Sequence, residues 1–242
     1  MSLLSLTAKV GDFFLPQRCL FCGSPGIHQG HVPVCEVCLC ELVPISEPFC
    51  PRCGIPFETL DSHLCGDCLR TPPPFEWARS LFPFGGKARE FIHHLKFKRD
   101  LSTLTLLNYL LETKQPEFFA KGAIDRVVPV PQDTRGLRSR GYNPALLIAL
   151  CLAKKMNKPV DRCHLIKIRK TLPQIGLTKK ERHQNVKEAF AVKETSRFRG
   201  QTVLLVDDVY TTGATVSACT LALLKAGART VQVWTFARTI LE

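Results

Sequence analysis

The sequence predicts an α/β chain, a largely parallel sheet flanked by helices, behind a small cysteine-stapled N-terminal module. Three observations predict it. Short apolar runs such as Val203-Leu204-Leu205-Val206 and Asp125–Pro131 alternate with helix-period segments, the rhythm of strand–helix–strand units. Two of those runs lead through a polar loop into a helix. Nine of the twelve cysteines fall within the first 68 residues, most of them in Cys-x-x-Cys pairs. With 242 residues and 45% hydrophobic content, the chain has room for one mid-sized α/β domain and a small module, and it is not a disordered chain.

The cysteine pairs come first. They are Cys19-Leu20-Phe21-Cys22, Cys35-Glu36-Val37-Cys38, Cys50-Pro51-Arg52-Cys53 and Cys65-Gly66-Asp67-Cys68. A Cys-x-x-Cys turn sets two thiolates on one side of a tight loop, as tetrahedral zinc requires, and four pairs supply two four-cysteine sites. Gaps of eleven or twelve residues leave room for a short hairpin between knuckles. Sequential pairing assigns Cys19, Cys22, Cys35 and Cys38 to one zinc, and Cys50, Cys53, Cys65 and Cys68 to the other. Spacing alone leaves an interleaved pairing open, with Cys40 as an alternative to Cys38. A closed site of four thiolates offers no position to substrate, so both metals are structural, and so small a module depends on them for stability. No secretory leader is expected, because Lys9 and Asp12 interrupt the N-terminal apolar residues and no small-residue cleavage site follows. No apolar run approaches the roughly 20 residues of a membrane span. Reduced thiols and a cytoplasmic location are the expectation.

Thr71-Pro72-Pro73-Pro74 reads as a stiff linker, which divides the chain into 1–70, the double zinc ribbon with its lead-in, and 71–242, the α/β domain. Trp77–Phe84 then reads as a strand, Gly85-Gly86 as a turn, and Ala88–Phe97 as a helix with Phe91, Ile92 and Leu95 inward. Leu101–Leu111 continues as a second apolar helix. Asp125–Pro131 is a buried strand ended by proline, and a basic loop, Gln132–Tyr142, follows it. Asn143-Pro144 caps a helix reaching Met156, with proline in the first turn. Arg169–Val186 is polar and sits between expected strands; it reads either as a mobile lid or as a surface excursion with one helix. His93 and His94, paired on a helix, read as structural, while Lys96 stays open between surface and site.

The most informative stretch runs from Val203 to Thr215. Its apolar strand ends in Asp207-Asp208, and Thr211-Thr212-Gly213-Ala214-Thr215 turns into a helix reaching Lys225. Free N–H groups at a helix start, together with the helix dipole, make an anion cradle, and Gly213 allows close approach of the backbone. Asp207 and Asp208 are acceptors only, so beside an anion they need hydroxyls or a metal. A sugar phosphate with free ribose hydroxyls and bound Mg2+ meets both demands.

Charge is unevenly spread. The net charge is +12, yet residues 1–70 hold four Lys/Arg against seven acids, a balance of −3 that leaves +15 on the remainder. Between Arg135 and Arg199, seventeen basic residues stand against four acids. Such a field draws polyphosphates and nucleic acid.

The Asp207–Thr215 string resembles the signature by which type I phosphoribosyltransferases bind phosphoribosyl pyrophosphate (PRPP). The resemblance implies that Asp207 and Asp208 hold the ribose hydroxyls, while Thr211, Thr212, Gly213, Ala214 and Thr215 wrap the 5′-phosphate. The pyrophosphate then needs its own cationic cradle at a neighbouring strand end, for which Arg140 and Asn143 are the candidates; Arg135 and Arg138 are equally consistent with solvent-facing positions. The whole chain is similar to the ComF family of competence-associated proteins. The matching segments are the Cys-x-x-Cys ribbons, Phe91-Ile92-His93-His94-Leu95-Lys96-Phe97, Val128-Pro129-Val130-Pro131, Arg140-Gly141-Tyr142-Asn143, Thr171-x-x-Gln174-x-x-Leu177, Arg182-x-x-Asn185-Val186 and the Asp-Asp signature. That resemblance implies a double zinc ribbon ahead of a type I phosphoribosyltransferase fold. It also implies a role in natural transformation, with PRPP–Mg2+ as ligand, single-stranded DNA handled in the cytoplasm during DNA uptake, and other DNA-uptake or recombination proteins as partners. The alternative is an active phosphoribosyltransferase acting on an unknown nucleobase or nucleotide. Two departures weigh against ordinary purine salvage. Thr211 stands two residues before the loop glycine, where purine-salvage enzymes carry an acid, and little sequence after Phe236 remains to build a base-binding hood.

Overall fold

A parallel strand buries both faces and needs an unbroken apolar run, whereas a knuckle needs only a turn and a metal. Both kinds of segment fold as those needs dictate. The computed structural model describes residues 18–25, 32–98, 102–114, 124–132, 141–169 and 179–240.

The two ribbons repeat one design. In each, the first cysteine pair sits on a tight turn, closed by Gly23 N–H donating to Cys19 O at 3.0 Å and by Gly54 N–H donating to Cys50 O at 2.8 Å. The second pair opens a short helix, α1 (Glu36–Cys40) with Cys35 as its N-cap and α2 (Gly66–Arg70) with Cys65 as its N-cap. Thr71–Pro74 is not a free spacer. Arg52 donates to Pro73 O at 3.1 Å and to Glu76 O at 3.2 Å, clamping this segment onto the second ribbon.

Then come β1 (Ala78–Pro83), α3 (Gly86–Phe97), α4 (Ser102–Thr113), β2 (Arg126–Pro129) and α5 (Pro144–Met156). The chain continues through β3 (Leu165–Lys167), α6 (Lys179–Val186), β4 (Phe190–Val192), β5 (Thr202–Tyr210), α7 (Ala214–Lys225) and β6 (Thr230–Arg238). The sheet order is β1-β6-β5-β2, parallel throughout, and β3 and β4 form a separate antiparallel pair. α3 buries Ala88, Phe91, Ile92 and Leu95, the one-sided stripe of an amphipathic helix. α5 starts where Asn143 accepts a hydrogen bond from Ala145 N–H at 3.0 Å, and Pro144 occupies its first turn.

Side chains alternate across a sheet, so each strand feeds two cores. Leu204, Val206, Trp234 and Phe236 pack with α3, α4 and α5, and the first ribbon's Cys19 and Cys38 join them. Val203, Leu205, Val231 and Val233 pack with α7, joined by Cys50, Cys53 and Cys68 of the second ribbon. Each ribbon therefore adds to a different side of the sheet core.

The strand expected over Val203–Val206 runs further, to Tyr210. Its neighbour β6 continues beside it, pairing Asp207 with Thr235, Val209 with Ala237 and Tyr210 with Arg238. β2 ends at Pro129, opposite Val206; Val130 N–H still donates to Val206 O at 2.8 Å, but the Val130 carbonyl is taken by Asn143 and Pro131 has no N–H to carry the ladder on. Asp207 and Asp208 thus stand past the end of β2, where β5 keeps a neighbour on one side only.

Candidate functional site

Two four-thiol groups answer the sequential pairing. Cys19, Cys22, Cys35 and Cys38 converge in one, Cys50, Cys53, Cys65 and Cys68 in the other, and Cys40 is exposed outside both. The Cys22 and Cys35 sulfurs lie 3.6 Å apart and those of Cys53 and Cys65 3.7 Å apart. A zinc tetrahedron with Zn–S bonds of about 2.3 Å has edges of about 3.8 Å, so the donor sets fit that ion in type, number and spacing. Burial pushes the Cys50 thiol up, but backbone N–H groups of Cys53, Cys65 and Arg52 outweigh it and bring the thiol down to about 7. In the same group burial, first of all, pushes the Cys53 thiol up to about 11 and raises Cys68 as well, so four thiols this close ionise together only around a cation.

The second site lies at the carboxyl ends of the parallel strands, where open α/β sheets bind ligands. A concave pocket of about 450 Å³ is lined by Asp207, Asp208, Tyr210, Thr211 and Gly213–Val216, with Phe84 and Lys96 also on its wall. Gly213, at φ 75°, is the N-cap of α7. α7's first N–H groups have no helical partners and belong to pocket-lining residues. The loop therefore offers donors and positive dipole to an anion.

The two carboxylates flank this cradle from opposite faces of β5. Asp208 carries the alternation of the α3 side and meets Lys96 Nζ at 2.5 Å. Asp207 carries that of the α7 side, accepts the N–H of Asp208 at 2.9 Å, and lies close enough to Cys219 for its charge to raise that thiol. Burial, then the neighbouring Asp208 charge, push the Asp207 carboxyl up to about 8, against the pull of the Asp208 N–H and Lys96. One acid is thus paired with a lysine and the other is held protonated, so a ligand hydroxyl or a cation at either carboxyl would have to displace the partner already there.

Of the residues singled out in the sequence, Asp207, Asp208, Thr211, Gly213, Ala214 and Thr215 line this pocket. Thr212 turns its hydroxyl to Ala214 N–H at 3.4 Å instead. Asn143 spends its side chain on structure, accepting from Ala145 N–H and donating to Val130 O at 2.9 Å. Arg140, Arg135, Arg138 and the Thr171–Leu177 motif lie outside the described residues. Lys96 and Phe84 belong to the pocket without having been assigned to it. Lys96 was visible as a cation on the helix after the first strand, and only the fold shows which carboxylate it meets.

Residues 10–69 match the double zinc ribbon domain family, and residues 143–240 match the phosphoribosyl transferase domain family. The DNA utilization protein YhgH of Escherichia coli strain K12 is 33% identical over 93% of this chain and 99% of its own length. Competence protein F of Haemophilus influenzae is 29% identical over 93% and 98%, and competence protein ComFC of Bacillus subtilis is 27% identical over 85% and 84%. Among solved structures, adenine phosphoribosyltransferase from Saccharomyces cerevisiae aligns over 59% of this chain and 72% of that one, at 17% identity and a TM-score of 0.37. No helix among the described residues is long and apolar enough to cross a membrane. Two four-cysteine ribbons, a parallel sheet with a transferase-type loop and relatives matched nearly end to end make this chain a member of the ComF family, a double zinc ribbon joined to a type I phosphoribosyltransferase domain.

Proposed function

We propose that the pocket at the end of β5 binds PRPP with Mg2+, and that the protein uses this ligand while handling single-stranded DNA in the cytoplasm during DNA uptake. The observation that carries the ligand reading is one concave pocket pairing two carboxylates with an N–H- and hydroxyl-rich helix start. In this reading the loop from Thr211 to Thr215 takes the 5′-phosphate through backbone N–H groups and threonine hydroxyls, with Gly213 keeping the approach open. Asp207 and Asp208 accept hydrogen bonds from the ribose hydroxyls, and Lys96 gives up Asp208 as they do so. Mg2+ supplies charge neutralisation at the pyrophosphate. The DNA reading draws support from the printed names of the relatives, DNA utilization protein and competence protein, and from the basic 135–199 region.

Transfer to a nucleobase or nucleotide is the second reading, and the exposed ring of Phe84 on the pocket wall favours it, because planar acceptors stack on such faces. Titration calorimetry with PRPP and Mg2+ tests the first reading. Wild type should bind, and Asp207→Asn with Asp208→Asn should lose at least about tenfold in affinity, the loss of charge-assisted hydrogen bonds. Unchanged affinity in the double variant ends the assignment. Pyrophosphate release in the same samples, with bases, nucleotides or single-stranded DNA added, separates ligand binding from transfer.

A further inference from the structure

The two zinc ribbons are equal in chemistry and unequal in what they touch. The first shares its core with α3, α4 and α5. Cys50, Cys53 and Cys68 of the second share theirs with Phe75, Tyr210, Ala214 and Val216, and the last three of these line the pocket. A short chain of contacts joins that ribbon to the phosphate loop. Arg238, the last residue of β6, is only 3% exposed and donates from Nη1 to Cys53 O at 2.5 Å. Its guanidinium carbon lies 4.9 Å from the centroid of the Tyr210 ring. Tyr210 ends β5 directly opposite Arg238 in the ladder, and its ring meets Phe75 edge-on at 6.4 Å. The Tyr210 hydroxyl packs against Gly213 so closely that any Cβ there would overlap it. Thr239 N–H closes the corner by donating to Tyr210 O at 2.9 Å.

We propose that the second zinc ribbon, and not the first, positions the phosphate loop of the pocket, with Arg238 and Tyr210 as the positioning residues between Cys53 and Gly213. Four thiolates around zinc leave net negative charge, and a buried guanidinium needs such a neighbour and a fixed acceptor. The knuckle supplies both, because the Cys50–Cys53 turn aims the Cys53 carbonyl at Arg238. The held guanidinium fixes the Tyr210 ring from one side, Phe75 fixes it from another, and the hydroxyl end sets the turn at Gly213. Unfastening this knuckle releases the carbonyl, leaves Arg238 charged and buried without its acceptor, and frees the ring on which the loop rests. The first ribbon meets the other core instead, where Phe21 packs edge-on against His94 of α3 at 6.4 Å; that contact leads to the Lys96 wall of the pocket and not to the Tyr210–Gly213 corner.

The inference rests on the PRPP reading for its functional meaning, but its test does not. Hydrogen exchange of the amides from Thr211 to Val216 reports loop order with no ligand present. Zinc content and PRPP–Mg2+ affinity are measured alongside in the full-length protein. Cys65→Ser and Arg238→Met should each speed loop exchange by about tenfold and weaken PRPP–Mg2+ by a similar factor, with Arg238→Met keeping both zinc ions. Cys22→Ser should leave loop exchange within about twofold of wild type. Equal loop exchange in Cys22→Ser and Cys65→Ser overturns the proposal, and so does wild-type exchange in Arg238→Met. If Cys65→Ser does not fold, Arg238→Met and Tyr210→Leu decide it. A wild-type protein that fails to bind PRPP–Mg2+ removes the ligand reading, while the exchange result still decides the coupling.

Discussion

Asp207 and Asp208 are adjacent in the chain and opposite in placement, and that geometry sets their chemistry apart. Asp208 turns toward α3 and is answered by Lys96. Asp207 turns toward the α7 core, and burial together with its neighbour's charge lifts it from the usual 3.8 to about 8. A folded value above the unfolded one means that folding prefers the protonated acid. The favourable contribution is complete below about pH 3.8 and is lost as pH climbs through about 8. Asp207→Asn removes this titration. Between about pH 5 and 8.5 the variant should gain at least about 1.4 kcal/mol on wild type, the worth of one pH unit, seen in calorimetric unfolding as a melting point several degrees higher. A stability difference that does not change with pH would mean that Asp207 ionises as it does in water. Lys96→Met sharpens the same measurement, since losing that cation should raise the Asp207 carboxyl further and carry the loss of stability on to higher pH.

At the scale of elements, Asn143 shows how one side chain starts a helix and joins it to the sheet. Its Oδ1 caps α5 at Ala145 N–H, and its Nδ2 donates to Val130 O just beyond β2. Asn143→Ala should cost about 1–2 kcal/mol in chemical denaturation, combining a lost cap with a lost acceptor partner, and Asn143→Asp should recover the cap alone. A cost below a few tenths of a kcal/mol would show that water replaces both bonds. The expected helices over Ala88–Phe97, Leu101–Leu111 and up to Met156 and Lys225 were legible because each bears its own apolar period and its own start or stop signal. The full reach of β5 was not. Asp207-Asp208 reads as a strand end, and only pairing with β6 carries the backbone on to Tyr210. Lys96 with Asp208 and Arg238 with Cys53 were illegible for a related reason. Periodicity says which face a residue takes, whereas the partner across the fold, 185 positions away for Arg238, depends on strand order. The eight cysteines that converge in two groups of four were legible, since each pair carries its geometry within four residues, whereas which pairs join, and Cys38 over Cys40, took the fold to decide.

Over the whole molecule, charge is sorted as the sheet ends are. The ribbon region is acidic by −3, and zinc held by four thiolates deepens that, while 135–199 carries seventeen basic residues against four acids. Lys154, Lys158, Arg162, Lys187, Lys193 and Arg199, spread over α5 and its flank and the segments around β4, are all exposed. A single strand of DNA would meet this region through its phosphates, and each neutralised phosphate releases counterions. Four to six such contacts give a slope of about −3 to −4 for log affinity against log salt. Affinity for an unstructured oligonucleotide should then fall roughly a hundredfold between about 50 and 200 mM salt, in fluorescence anisotropy titrations. Reversing the charge of Lys154, Lys158 and Arg162 together should weaken binding and flatten the slope by about two, because three phosphate contacts go with them. The Asp207→Asn, Asp208→Asn variant should keep the wild-type slope, since its pocket is not the phosphate track. A slope shallower than about −1 in wild type would move the binding away from phosphates and toward base contacts, and the charge asymmetry would then be a solvated surface.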